Sequence, residues 1–405
     1  MLLEDLIVQS QQSKASDIHI TEGGHYKHRI DGDIHVLPDV ISSEEFDAFC
    51  NKYEIACGKD VNSFDAAVTV CNVRMRVNLY QSISGRKMAL RILSDKIPRF
   101  EDLNLAPSVQ KIVSLKQGLV LITGVTGSGK TTTLASLIDI INETRSDHII
   151  TIEQPVEYVF PEKSCIISQR EVGKHTPSFT QATIDAMRED PDIVMLGEMR
   201  DLPTMQNAIT LAETGHLVIG TLHCRNAVEA VDRIVDVFPP EQQAGVRIQA
   251  CNVIQCVISQ SLVHKKPSGR YCLQEVLYFS DSVRNLLKQH KPINQVRSTM
   301  PTNPDCVDIM ASAVRGIKEF GVDPYEVWAY MGLDDNEKDM FIQRCDAAGI
   351  PAEATEFLRS KTAVEAEAAK AAERKESATQ PSPQSGFGGF NTGIFSPNNL
   401  DGGWT

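Results

Sequence analysis

The eight residues Gly124, Val125, Thr126, Gly127, Ser128, Gly129, Lys130 and Thr131 limit what this chain can fold into more than any other stretch. They fit the spacing G-x-x-x-x-G-K-S/T, follow the apolar run LVLIT (119–123), and lead into the helical pattern TTTLASLIDIIN. A buried strand, a glycine turn and a helix in that order form a phosphate cradle at the edge of a parallel α/β sheet. Glycines let successive N–H groups point at phosphate oxygens, Lys130 reaches the β and γ phosphates, and Thr131 is placed for Mg²⁺. The helix N-terminus adds a favourable field for negative charge. The pattern therefore implies ATP with Mg²⁺, held by Gly124, Thr126, Gly127, Ser128, Gly129, Lys130, Thr131 and Thr132.

Three more apolar runs repeat the arrangement: IITIE (149–153), IVMLG (193–197) and LVIGTL (217–222). Each suits a strand buried on both faces, and each passes into polar residues at its C-terminal end, the edge where such sheets bind ligands. Glu153 and Glu157 lie in the Pro-containing loop after the second run, where either carboxylate could polarise a water; a solvated acidic loop has the same composition. Glu198 follows the third run in a loose Walker-B pattern, with Gly197 where many P-loop enzymes place an aspartate. From there a carboxylate can hold the Mg²⁺ hydration shell across from Thr131. His216 and His223 bracket the fourth run, compatible with a γ-phosphate sensor or with two structural histidines.

Before the first run the chain has a different texture. DIHI, HRIDGDIHVL with its Asp31-Gly32 turn, VRMRVNLY and KMALRIL alternate as the strands of a small α+β domain do. Arg74, Arg76 and Arg91 lie on these strands, where an arginine offers a fork of donors to phosphate or simply faces solvent. A hinge and short helix reach Gln117, and amphipathic helices follow from about residue 275. From about 363 the Ala/Glu/Lys run and the Pro, Ser, Gly and Asn residues after it are expected to be disordered.

Composition narrows the function classes. With 405 residues, 42% of them hydrophobic, the chain can bury two cores. It has no run of roughly 20 apolar residues and no secretory start, so a cytoplasmic location is expected. The ten cysteines form no C-x-x-C pair and read as reduced apolar residues instead of a zinc site. A net charge of -13 disfavours broad capture of nucleic acid and points to a protein partner.

In their order these segments resemble the secretion and type IV pilus motor ATPase superfamily, and within it the PilT-like retraction ATPases. The resemblance rests on the P-loop GVTGSGKTTTLA, the acidic box TIEQPVEYVF, the linker SQREVG, the Walker-B segment AMREDPDIVMLGEMRD and the histidine box AETGHLVIGTLHCRNAVEAVDRIVDVFP. SDIHI, VRMRVNLYQSISGRKMALRIL and Val283 to Leu287 are also similar to family segments. The long N-terminal region and four-cysteine motif usual in assembly and secretion members are not seen. The resemblance implies an α/β fold in five parts: a PAS-like α+β domain (1–100), a linker (101–117), a RecA-like P-loop core with a mostly parallel sheet (118–280), a helical region (281–362) and a disordered tail (363–405).

The same resemblance implies a homo-hexameric ATPase that drives pilus retraction. It would work at the cytoplasmic face of the inner membrane, bound there through a pilus or secretion platform protein and without direct nucleic-acid contact. Glu153 becomes the catalytic carboxylate, Glu198 the Walker-B glutamate and His223 the phosphate sensor, while Arg74, Arg76 and Arg91 reach the nucleotide across domains. Gln154 stands where the acidic box usually carries an aspartate, which implies slower or differently regulated hydrolysis. The competing readings are a type IVB secretion or conjugation ATPase on the same core, a DNA-translocating motor, and a regulatory ATP-binding subunit.

Overall fold

Alternation of apolar and polar residues dictates the first sheet. A computed structural model describes residues 3–351 apart from 31–32, 59–61, 94–95, 267–268 and 332–334. Its first elements are α1 (Leu3–Gln12), β1 (Asp17–Thr21), β2 (His25–Ile30), β3 (Asp33–Val40), α2 (Ser43–Lys52), β4 (Ser63–Val70), β5 (Val73–Ser82) and β6 (Gly85–Ile92). The strands pair antiparallel in the order β3-β2-β1-β6-β5-β4. Along β5, Val73, Met75, Val77 and Leu79 point inward, onto Leu6 and Ile7 of α1 and Phe46 and Phe49 of α2. Because side chains alternate across a strand, Arg74 and Arg76 are forced to the other face. Ser42 and Glu45 form a capping box that starts α2.

The second sheet comprises β7 (Gly118–Thr123), β8 (His148–Glu153), β9 (Ile166–Glu171), β10 (Ile193–Leu196), β11 (Leu217–Leu222), β12 (Ile254–His264) and β13 (Arg270–Tyr278), in the order β13-β12-β7-β11-β10-β8-β9. All neighbours are parallel except β12 and β13, which form an antiparallel hairpin at one edge. Every residue of β7, β10 and β11 is buried, as a sheet covered on both faces demands. One face packs on α4 (Phe179–Ala186), α5 (Leu202–Glu213), α6 (Glu229–Val235) and α7 (Pro240–Val253). The other packs on α3 (Lys130–Thr144) and a 3-10 helical stretch, Pro107–Ser114. After β13 come α8 (Asp281–Lys288) and α9 (Ile293–Arg297), which join the first of these cores through Val283, Leu287 and Val296. Then α10 (Ile309–Phe320), α11 (Pro324–Met331) and α12 (Asp335–Ala347) build a separate cluster on Val263, Tyr271 and Leu273 of the hairpin.

The four strands read from apolar runs are β7, β8, β10 and β11. Two readings need correction. SQREVG is not a linker: its first residues belong to β9, which pairs in parallel with β8. Its polar residues hid it, because an edge strand has one open side and needs no continuous apolar run. The hairpin of β12 and β13 was not anticipated and widens the sheet on the side of β7. The Asp31-Gly32 turn and the tail from 363 lie outside the described residues.

The two sheets meet through polar contacts. Arg74 Nη2 donates to the Val156 carbonyl at 2.8 Å, and Lys174 Nζ donates to the Ala67 carbonyl at 2.7 Å. The β4–β5 edge of the first sheet is thereby held against the loops that follow β8 and β9. Among the described residues no helix is long and apolar enough to cross a membrane.

Candidate nucleotide site at the carboxyl edge of the parallel sheet

Strand register decides what meets. Thr123 lies beside Leu222, Leu196 beside Gly220, and Ile152 beside Leu196, so β7, β11, β10 and β8 end at one edge. The loops leaving that edge carry the P-loop, His223, Glu198 and Glu153. His216 stands at the opposite end of β11, about 20 Å away at ~3.3 Å per residue. There its Nδ1 lies 3.0 Å from the Leu211 carbonyl and 3.1 Å from Thr214 Oγ1, at the end of α5. His216 is thus held at the far end of the strand, and of the two histidines that bracket it His223 stands at the edge carrying the P-loop.

The P-loop backbone leaves no room for side chains at its start. A Cβ on Gly124, whose φ is +149°, would lie 2.3 Å from the Gln260 carbonyl and 2.5 Å from Ser128 Oγ. Gly129 has a φ of +87° and caps α3 in the left-handed region. Gln260, on β12, braces the loop by donating from Nε2 to the Ser128 carbonyl at 2.8 Å. Sequence reading missed this residue because its strand was missed. Lys130 Nζ donates to the Gly124 and Val125 carbonyls at 2.8 and 3.1 Å, and burial lowers its pKa. The buried Ser128 Oγ has no hydrogen-bond partner, and the first N–H groups of α3 have none within their helix. These unsatisfied donors fit an anion such as a phosphate chain. Thr126 and Gly127 are exposed at the loop's crest, and Thr132 Oγ1 lies 3.4 Å from Tyr158 Oη.

Glu153 is the most perturbed acid of the site. Only 4% exposed, it accepts from Thr151 Oγ1 at 2.7 Å and from Gln169 Nε2 at 3.2 Å. Burial pushes its pKa up to about 7; the two donors oppose the shift and the nearby Glu157 charge adds to it. Gly197 explains its own identity here: a Cβ would lie 3.2 Å from the Ile152 carbonyl and 3.4 Å from Glu153 Cα. An aspartate at that position would displace the acid.

Glu198 sits between Arg200, with Nη2 at 2.5 Å, and the His223 ring, with Nε2 at 3.1 Å. Burial raises its pKa, but Arg200, His223 and Lys130 outweigh that and hold it below the usual carboxylate range. His223 is lowered by burial first and then by the Lys130 charge, so at neutral pH it is a neutral donor to Glu198. Thr131 and Glu198 supply hydroxyl and carboxylate oxygens, a donor set that fits a hard divalent cation.

The three arginines of the first sheet are not equivalent. Arg74 reaches Val156 and lies 3.9 Å from Glu171, at the domain junction. Arg76 is held by Asp65, whose carboxylate, with Glu157 and Glu198 at longer range, raises its pKa against the effect of burial. Arg91, directly across from Arg76 in the sheet, pairs with Asp17 at 2.9 Å and is 69% exposed. An open pocket of about 350 Å³ completes the site, lined by Gly124, Val125, Thr126, His223, Cys224 and Arg225.

Comparison with known proteins accords with this geometry. The model of the family described as "Type II/IV secretion system protein" matches residues 1–322. The type IV pilus retraction ATPase PilT of Pseudomonas aeruginosa is 39% identical over 309 residues, covering 75% of this chain and 89% of that protein. The crystal structure of the pilus retraction motor PilT with bound ADP superposes with a TM-score of 0.76 at 38% identity, over 83% of this chain and 98% of the other. The ATPase DotB of Legionella pneumophila gives a TM-score of 0.71 at 26% identity, over 82% and 95%. These relatives bear out the resemblance read from the motifs, and with it the α/β fold and the ATPase class. On the family match and the shared fold, the chain belongs to the type II/IV secretion system protein family, in which it is similar to pilus retraction ATPases.

Proposed function

We propose that this chain hydrolyses ATP as a homo-hexameric motor that drives pilus retraction at the cytoplasmic face of the inner membrane, acting on a platform protein there. The carrying observation is the convergence of the P-loop, a buried Glu153 poised near neutrality and Glu198 at one sheet edge. The P-loop backbone and Lys130 bind the phosphates, and Thr131 and Glu198 would hold Mg²⁺, which neutralises phosphate charge when bound. Glu153 takes the proton of the attacking water, a task suited to a carboxylate whose pKa lies near the working pH. His223 holds Glu198 in place and reports on the γ-phosphate. Arg74 and Lys174 tie the first domain to the loops beside Glu153, which offers a route from nucleotide state to domain position.

The test is ATP turnover with the mass of the assembly, with and without DNA. Turnover by a hexamer, insensitive to DNA and lost in Lys130→Ala while the variant's melting curve is unchanged, is the expected result. Wild-type turnover in Lys130→Ala would sink the P-loop assignment, and stimulation by DNA would favour the translocase reading.

A further inference from the structure

The arginines already named in and around the site are each engaged. Arg74 is bound to Val156, Arg76 to Asp65, Arg91 to Asp17 and Arg200 to Glu198. Arg225 differs. Its side chain is exposed and makes no ion pair with a described residue, yet it lines the pocket opposite the P-loop residues Gly124, Val125 and Thr126.

The backbone that carries Arg225 is fixed at several points. Ser259 Oγ, on β12, donates to the Arg225 carbonyl at 2.9 Å. Asn226 Oδ1 accepts from the Glu229 N–H at 2.9 Å, at the start of α6. The Ala227 N–H donates to Glu275 Oε2 at 2.8 Å, and Glu275, 1% exposed, is itself held by Arg297 at 2.8 Å. The braced backbone fixes where this side chain starts, and a guanidinium without an ion-pair partner among the described residues is left available for an anion, which would order it on arrival.

Charge balance points to which anion. The pocket region carries Glu153, Glu157 and Glu198, and the cation nearest the P-loop, Lys130, is folded back onto the loop's own carbonyls. A diphosphate can be satisfied by the P-loop N–H groups and Lys130. The third phosphate brings further charge toward the acidic loops, and a guanidinium matches phosphoryl oxygens with two parallel donors.

On the reading that this pocket binds ATP, we propose that Arg225 is the terminal-phosphate cation supplied within the chain, binding the γ-phosphate of a nucleoside triphosphate and leaving the diphosphate untouched. It makes the site sensitive to the number of phosphates, a function distinct from that of any arginine brought from the first domain.

The experiment compares binding of fluorescent ADP and of a fluorescent non-hydrolysable ATP analogue, with Mg²⁺, to full-length wild type, Arg225→Ala, Arg225→Gln and Arg225→Lys. Sedimentation and thermal melting run alongside. In the alanine and glutamine variants the analogue should bind about tenfold or more weakly while ADP affinity stays within about twofold; lysine, a point charge without the fork, should recover part of the loss. Equal losses for both nucleotides, no loss for either, or a loss that follows a change in assembly size would each overturn the assignment. Wild type that binds ADP and the analogue, beside a Lys130→Ala control that binds neither, upholds the nucleotide site separately from Arg225. Wild type that binds neither nucleotide removes both.

Discussion

Gln169 Nε2 donates to Glu153 Oε1 at 3.2 Å while its Oε1 receives the Phe160 N–H at 2.9 Å. Gln169 Nε2 also donates to the Tyr158 carbonyl at 2.9 Å, so one side chain on β9 ties the acid to the middle of the loop that follows it. Gln169→Leu keeps the volume and removes these bonds. A donor to the charged form is lost, so the Glu153 pKa should climb further and turnover at pH 7 should fall severalfold. The pH profile of kcat/KM is the measurement; a midpoint equal to that of wild type would remove Gln169 from the site.

Glu153 itself sets the pH dependence. In wild type, kcat/KM should rise through about pH 7 as the carboxyl ionises. Glu153→Gln should bind ATP normally, lose at least about tenfold in kcat and flatten the profile. Stability runs the other way. The native state holds this proton from the ordinary 4.5 up to about 7 while the unfolded chain has released it, so stability falls as pH rises through that window. The melting temperature of Glu153→Gln relative to wild type should therefore increase from pH 5 to pH 8. A constant difference would mean that the acid is solvated.

Gly197→Ala tests the close packing of the Walker-B strand on Glu153. The new methyl would press on the Ile152 carbonyl and Glu153 Cα, both backbone atoms that move only with their strand. A cost of about 1–3 kcal/mol in stability is expected, with a drop in kcat larger than any change in ADP affinity. Urea melts and steady-state kinetics read both. Full activity in the variant would show that Glu153 tolerates displacement.

Arg91 is exposed and, among the described residues, pairs with Asp17, an exposed ion pair weak enough to be exchanged for a neighbouring subunit's phosphate. Arg91→Ala and Lys130→Ala should each be inactive alone, whereas an equimolar mixture should regain part of the turnover if the arginine acts in trans, since such arginines are worth roughly 10³ or more in rate. ATPase assays across the assembly concentration, with the mixture beside each variant, provide the check. Activity per subunit that stays constant down to a verified monomer would rule out a shared site.

The P-loop, the four buried strands and the candidate acids were legible in the sequence for a local reason. A strand buried on both faces must be apolar throughout, and a phosphate cradle requires glycine, lysine and a hydroxyl at fixed spacing, so β7, β8, β10 and β11 and residues 124–131 announce themselves within a few positions. What those residues do to one another was decided only by tertiary structure. Gln169 and Gln260 come from strands with no sequence signature of their own, and they reach Glu153 and Ser128 across 16 and 132 positions. The raised pKa of Glu153 is a property of its burial, His216 separates from His223 because a strand has two ends, and Arg225 makes no ion pair with a described residue although it lines the same pocket as the P-loop. Spacing along a chain encodes local geometry; desolvation and charge balance depend on which distant segments pack together, and that is settled when the sheet forms.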